Sequence, residues 1–182
     1  MLLAAQSSIA VVLVMVAAAT TAIVPDASGN LRHVSRSLQT DDISTALLAR
    51  VNQERVANDL PAVCWNSKLQ AAAKRQSDDM AANDFLHHVG SDGSTVSSRI
   101  TDAGYKWKAV AENVAAGQAN VESVMDAWMN STGHRMNILG NYTMLGAAYA
   151  YNPDSTFTHY WTEDFGTGDT EECDQTSGNR SL

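Results

Sequence analysis

The 182-residue chain is long enough for one domain with a proper core once an N-terminal leader is set aside. Its 12 Lys and Arg against 20 Asp and Glu leave a formal net charge of -8 and no basic cluster, which excludes nucleic acid and anionic lipid surfaces as partners that depend on such clusters. Self-repulsion of this kind suits a monomer kept in solution outside the cell.

Met1 to Pro25 carries no charge and contains an almost unbroken apolar run, Ile9 to Ala19. It reads as a secretory signal over residues 1–22, cleaved after Thr20-Thr21-Ala22. The basic segment that ordinarily precedes the apolar run is missing, so an uncleaved anchor of about 20 residues is the competing reading. Residues 23–40 are rich in Ser, Asn, Gly and Arg, lack apolar periodicity, and read as a disordered leader.

The main domain is predicted over residues 41–168, followed by an acidic tail at 169–182. Asp41 or Asp42 caps a first helix with Ile43, Leu47, Leu48, Val51 and Val56 facing inward and Arg50, Glu54 and Arg55 outward; it stops before Pro61. A second helix starts near Asn66, with Leu69, Ala72, Ala73, Met80 and Ala81 on its apolar face. Gly90, Asp92 and Gly93 mark a turn, and Thr95 to Ala103 is a short helix ended by Gly104. Tyr105-Lys106-Trp107 is loop or strand, and Asn120 caps a helix carrying Val121, Val124, Met125 and Trp128. Leu145 to Tyr151 and Phe157 to Phe165 form a β-hairpin with a loop of about four or five residues. Helices early and strands late give an α+β fold, a small antiparallel sheet covered by helices.

The two cysteines, Cys64 and Cys173, follow the leader and are expected to pair in an oxidising compartment. Sequons stand at Asn130, Asn141 and Asn179, with Asn141 and Asn179 the expected glycan carriers. Most histidines in proteins are structural hydrogen-bonding residues, and His33 and His159 fit that reading. His88 and His134 lie instead in polar, Gly-containing surroundings outside any apolar stripe.

Several segments occur in a telling order. They are Phe85-Leu86-His87-His88, Asp92-Gly93-Ser94-Thr95 with Arg99-Ile100, Ala111-Glu112-Asn113-Val114-Ala115-Ala116-Gly117, Trp128-Met129-Asn130-Ser131-Thr132-Gly133-His134-Arg135-Met136-Asn137-Ile138-Leu139, and Tyr160-Trp161-Thr162-Glu163-Asp164-Phe165-Gly166. From about Ile43 to Gly166 the chain closely resembles the CAP superfamily of cysteine-rich secretory proteins, antigen 5 and pathogenesis-related protein 1, in its SCP-like extracellular branch. The resemblance implies a three-layer α-β-α sandwich and a central cleft with two His and two acidic residues. By motif position His88 and His134 match the histidines and Glu112 the first acid. Ala111 replaces a Gly before Glu112, and Ser131 stands where the second acid would be, with Glu163 the nearest candidate to restore its charge.

Two neutral imidazoles suit zinc, so His88 and His134 are the expected ligands of a weakly bound ion, with Glu112 hydrogen-bonding an imidazole or a bound water. Family resemblance implies a secreted module carrying sterols or other small lipids, with a role in host–microbe encounters and a host or cell-surface protein as a possible partner. Val51, Met80, Met125, Trp128 and Tyr149 are apolar candidates for its pocket, and each is equally explained as core. The alternative is a metal-assisted hydrolase or peptidase using His88, His134 and Glu112. No nucleophile elbow supports it, and the chain reads more readily as a binding protein than as an enzyme.

Overall fold

Asn66, Thr95 and Asn120, read from sequence as helix starts, each cap a helix through a side-chain oxygen that accepts from backbone N–H groups of the first turn. The computed structural model describes residues 28–174, with side chains from Asp42 onward. In chain order the elements are α1 Ser28–Ala57, β1 Cys64–Trp65, α2 Ser67–Asn83, α3 Val96–Asp102, β2 Ala109–Ala116, α4 Val121–Met129, α5 Thr132–Ile138, β3 Met144–Tyr151 and β4 His159–Thr167. The signal expected over residues 1–22 and the sequon at Asn179 lie outside the described residues.

Helix α1 begins at Ser28 and not at Asp41 or Asp42, so its backbone runs through most of the stretch read as a disordered leader. No proline interrupts Ser28 to Ala57, so nothing in the chain stops the helix from extending backward. Its inward stripe also differs from expectation. Leu47, Val51 and Arg55, spaced four apart, are fully buried, whereas Val56 is 63% exposed. Helical geometry places the i, i+4, i+8 positions on one face, and that rule brings Arg55 inside.

The four strands form one sheet in the order β1-β3-β4-β2. Strands β3 and β4 pair antiparallel, as do β2 and β4, while β1 joins β3 in parallel, so the sheet is mixed and not purely antiparallel. The β3–β4 connection is longer than expected because Phe157 and Thr158 belong to it. The Asp84 carboxylate accepts from the Thr156 N–H and hydroxyl and from the Tyr160 hydroxyl, pinning that loop to the end of α2.

Side chains alternate across a sheet, and the two faces have different covers. One face presents Val114, Tyr160 and Thr162 to α2, where the Ser77 hydroxyl donates to Thr162 at 2.8 Å. The other presents Ala115, Trp161 and Phe165 to a core of Leu47, Val124, Met125, Trp128 and Ile138 from α1, α4 and α5. This is the expected α-β-α sandwich. Gly146 lets α2 rest directly on β3, since a Cβ there would run into the backbone at Leu69 and Gln70.

Cys64 and Cys173 are bridged as expected. The first part of the stretch assigned to a tail is docked: the Asp174 N–H donates to the Trp65 carbonyl at 2.9 Å, and Lys68 pairs with the buried Glu171 at 2.8 Å.

Candidate functional site

Strand β2 is an edge of the sheet, and Glu112 lies near its middle. The loop after α2 is fixed beside it, because the Gln76 side-chain amide donates to the His87 carbonyl at 2.6 Å and Arg99 donates to the His88 carbonyl at 3.0 Å. His88 is thereby held with Nδ1 2.8 Å from Glu112 Oε1. The second oxygen, Oε2, accepts from Arg99 at 2.6 Å. The Glu112 and Arg99 side chains are both 1% exposed, whereas His88 is half exposed. A buried carboxylate is costly without compensation, and Arg99 supplies its counter-charge.

Helix α5 approaches the same edge from the other face. Asn137 donates to the Glu112 carbonyl at 3.1 Å and to Asn113 Oδ1 at 2.8 Å, and Asn113 donates to the His134 carbonyl at 3.2 Å. The first bond satisfies a carbonyl of the edge strand, and the last ties β2 to α5 at His134. Burial, and then the proximity of His88, hold the His134 imidazole below its ordinary pKa.

His88 and Glu112 are in direct contact with His134 nearby, whereas Glu163 faces the other side of the sheet. Ser131 occupies the cap position of α5 and makes no capping bond with its side chain. Glu163 pairs in register with Asn113, while Glu112 pairs with Asp164. Neighbouring residues of a strand point to opposite faces, so Glu163 lies on the α5 side, fully buried, and does not line the cleft. Its carboxyl accepts from Asn113 at 3.4 Å, and burial pushes its pKa up to about 8.

Two openings flank these elements. The cleft beside β2, about 430 Å³, is lined by His88, Val89, Val96, Val110, Glu112 and Asn137. A second groove of about 330 Å³ runs between α1 and the start of α4, with Ile43, Val121, Glu122, Tyr149 and Trp161 in its wall. Trp161 is locked there by its indole N–H, which donates to the Gln118 carbonyl at 2.8 Å. Of the apolar residues considered for a pocket, Tyr149 lines this groove. Val51, Met80, Met125 and Trp128 are at most 1% exposed and form core.

Arg99, Asn113 and Asn137 had been assigned no role from the sequence. The signal for Arg99 was its place on the Val96, Ile100, Ala103 stripe of α3, where a long cation must find a buried partner. Asn137 stands three residues after His134, on the same side of a helix. Among the described residues no three His, Cys, Asp or Glu side chains gather into a metal cluster.

The fold has known counterparts. The chain is 32% identical over 115 residues to YkwD of Bacillus subtilis (strain 168), covering 63% of this chain and 43% of that protein. It is 28% identical over 101 residues to the membrane protein YlbC of the same organism, covering 55% and 29%. The chain thus spans less than half the length of these curated relatives. Among solved structures, an extracellular protein containing an SCP domain from Bacillus anthracis superposes with a TM-score of 0.63 at 21% identity, over 82% of this chain and 45% of that one. An outer surface protein from Borrelia burgdorferi gives 0.61 at 17% identity, over 79% and 96%. The sequence pattern of the CAP family, described as the cysteine-rich secretory protein family, matches residues 48–165, and the chain belongs to that family.

Proposed function

We propose that this chain is a secreted, monomeric binding module that holds a sterol or another small lipid and acts where host and microbe meet. The observation that carries the proposal is the groove between α1 and α4. Its volume and its wall of Ile43, Val121, Tyr149 and Trp161 match what a small apolar ligand needs, with the Asn120 and Glu122 side at its rim to orient a polar end. The Arg50–Glu122 ion pair at 2.8 Å links the two helices at the rim of the groove. Asn141, exposed in the turn before β3, is the expected glycan carrier among the described residues.

The cleft fits a second, weaker ligand. Glu112 on Nδ1 of His88 leaves Nε2 of that ring to face outward, the arrangement a carboxylate–histidine pair presents to a metal. With His134 beside it, the site would hold zinc through two imidazoles, the remaining positions being filled by water. Bound there, zinc would supply a Lewis acid. Both Glu112 oxygens are already engaged by Arg99 and His88, which weighs against Glu112 as a general base and against the hydrolase alternative.

Equilibrium binding of a radiolabelled sterol and of a radiolabelled fatty acid to the parent and to Val121→Trp tests the lipid reading. Saturable binding of either one that is lost when the indole fills the groove supports it. Failure of both lipids to bind the parent, or equal binding by the variant, refutes it.

A further inference from the structure

The sequence leaves the cleft one acid short, with Ser131 where a second carboxylate would stand, and Glu163 proves to lie on the other face of the sheet. Strand register supplies a different residue. Asp164 is directly opposite Glu112 on the antiparallel β2–β4 pair, so both side chains project from the same face, beneath α2 and α3. Asp164 is fully buried, and neither of its oxygens meets a donor. The cross-strand register nonetheless sets its carboxyl next to the Glu112 side chain.

Two carboxylates cannot bond to one another, because each only accepts. One proton between them turns the contact from repulsive to bonding, as in any carboxyl pair that shares a dry site. The charge count at this place points the same way. Arg99 is the single buried cation facing the pair among the described residues, and Glu112 already takes it at 2.6 Å. The α2 residues over this part of the sheet, Ala73, Gln76 and Ser77, carry no charge, and β3 presents Gly146. Glu163, on the opposite face of the same strand, brings no counter-charge, and His88 is half exposed and touches Glu112. One buried guanidinium faces two carboxyls, so one of the two remains neutral.

We propose that Asp164 is the second acid of the cleft, a neutral carboxylic acid whose hydroxyl donates to Glu112, so that the pair carries one negative charge held between Arg99 and His88. Asp164 is then a positioning residue: it touches neither ligand site directly and fixes the Glu112 carboxylate from below, leaving Oε1 directed at His88. Burial, followed by the nearby Glu112, raises the Asp164 carboxyl well above the ordinary aspartate range, in agreement with this geometry. The inference rests on reading the cleft as a functional site and is independent of which lipid or metal the protein carries.

Carbon-13 NMR of the ligand-free protein, labelled at aspartate Cγ and glutamate Cδ, tests the proposal. The Asp164 signal, assigned by its loss in Asp164→Asn, is expected at the position of a protonated carboxyl at pH 7. The Glu112 signal should keep its parent position in Asp164→Asn, whose amide also donates, and move in Asp164→Leu, which cannot. An Asp164 carboxyl that ionises in the ordinary aspartate range of about 4 overturns the proposal. So does a Glu112 signal that is the same in the Leu variant as in the parent. Neither result bears on the lipid groove, which is read by binding alone.

Discussion

Glu163→Gln should stabilise the protein at neutral pH and have little effect in acid. In the folded chain the Glu163 carboxyl has a pKa of about 8 against an ordinary value of 4.5, with burial the main cause and the Asn113 hydrogen bond opposing it. A group whose folded pKa is raised imposes no penalty below its unfolded pKa. As pH rises toward the folded pKa, the unfolded chain releases the proton and the folded chain must keep it, so stability falls. Each pH unit in that interval is worth ~1.4 kcal/mol, which makes the loss about 3 kcal/mol near pH 7 and about 4 kcal/mol near pH 8, where the folded carboxyl is itself half ionised. Glutamine has the same shape, keeps an acceptor for Asn113, and carries no proton to lose. The difference in unfolding free energy between variant and parent should therefore widen with pH, reaching roughly 6–12 °C in Tm near pH 7 for a domain of this size. Urea titrations and thermal melts at half-unit steps from about pH 4.5 to about pH 8 measure it. A difference that stays constant across that range would show that Glu163 ionises as an ordinary surface glutamate, and the burial reasoning would be refuted.

Arg55→Met should cost about 3–5 kcal/mol in urea unfolding, because the guanidinium donates to the carbonyls of Pro61, Ile138, Gly140 and Tyr142 and ties α1 to the turn before β3. A loss under ~1 kcal/mol would mean that water takes its place. Replacing Cys64 and Cys173 together with Ala should lower stability by on the order of 4–5 kcal/mol, since the bridge closes a loop with a sequence separation of 109. An unchanged unfolding midpoint would show that the Lys68–Glu171 and Trp65–Asp174 contacts hold the tail without it. Zinc should bind weakly, more tightly at about pH 7.5 than at about pH 5.5 because protons compete for imidazole nitrogen, and calorimetric titration should show the affinity reduced in His134→Ala. Equal affinity in that variant would remove His134 from the site.

Helices α2, α3 and α4 and the hairpin were legible because local chemistry determines them, whereas α5 was not read as a helix. Asn66, Thr95 and Asn120 cap helices whose apolar spacing is regular, and the hairpin strands are bounded by Asn152-Pro153-Asp154. The partners of the cleft were less so. Strand β2 contains Glu112 and Asn113 in the middle of an Ala- and Val-rich run, so no simple alternation marks it, and its place at the edge depends on pairing with β4 across about 50 residues. The choice between Glu163 and Asp164 as the acid on Glu112's side turns on a register of one residue, which only the ladder decides. Arg55 was misassigned for a similar reason: its charge suggested the surface, and most of the carbonyls that receive it come from a segment more than 80 residues later.

Mass spectrometry of lipids carried by the protein purified from its native source, with Val121→Trp purified in parallel, tests the binding reading most directly. A sterol or small lipid in near-stoichiometric amount on the parent and absent from the variant is the expected result. A parent free of lipid, or a lipid equally abundant on both proteins, would contradict it.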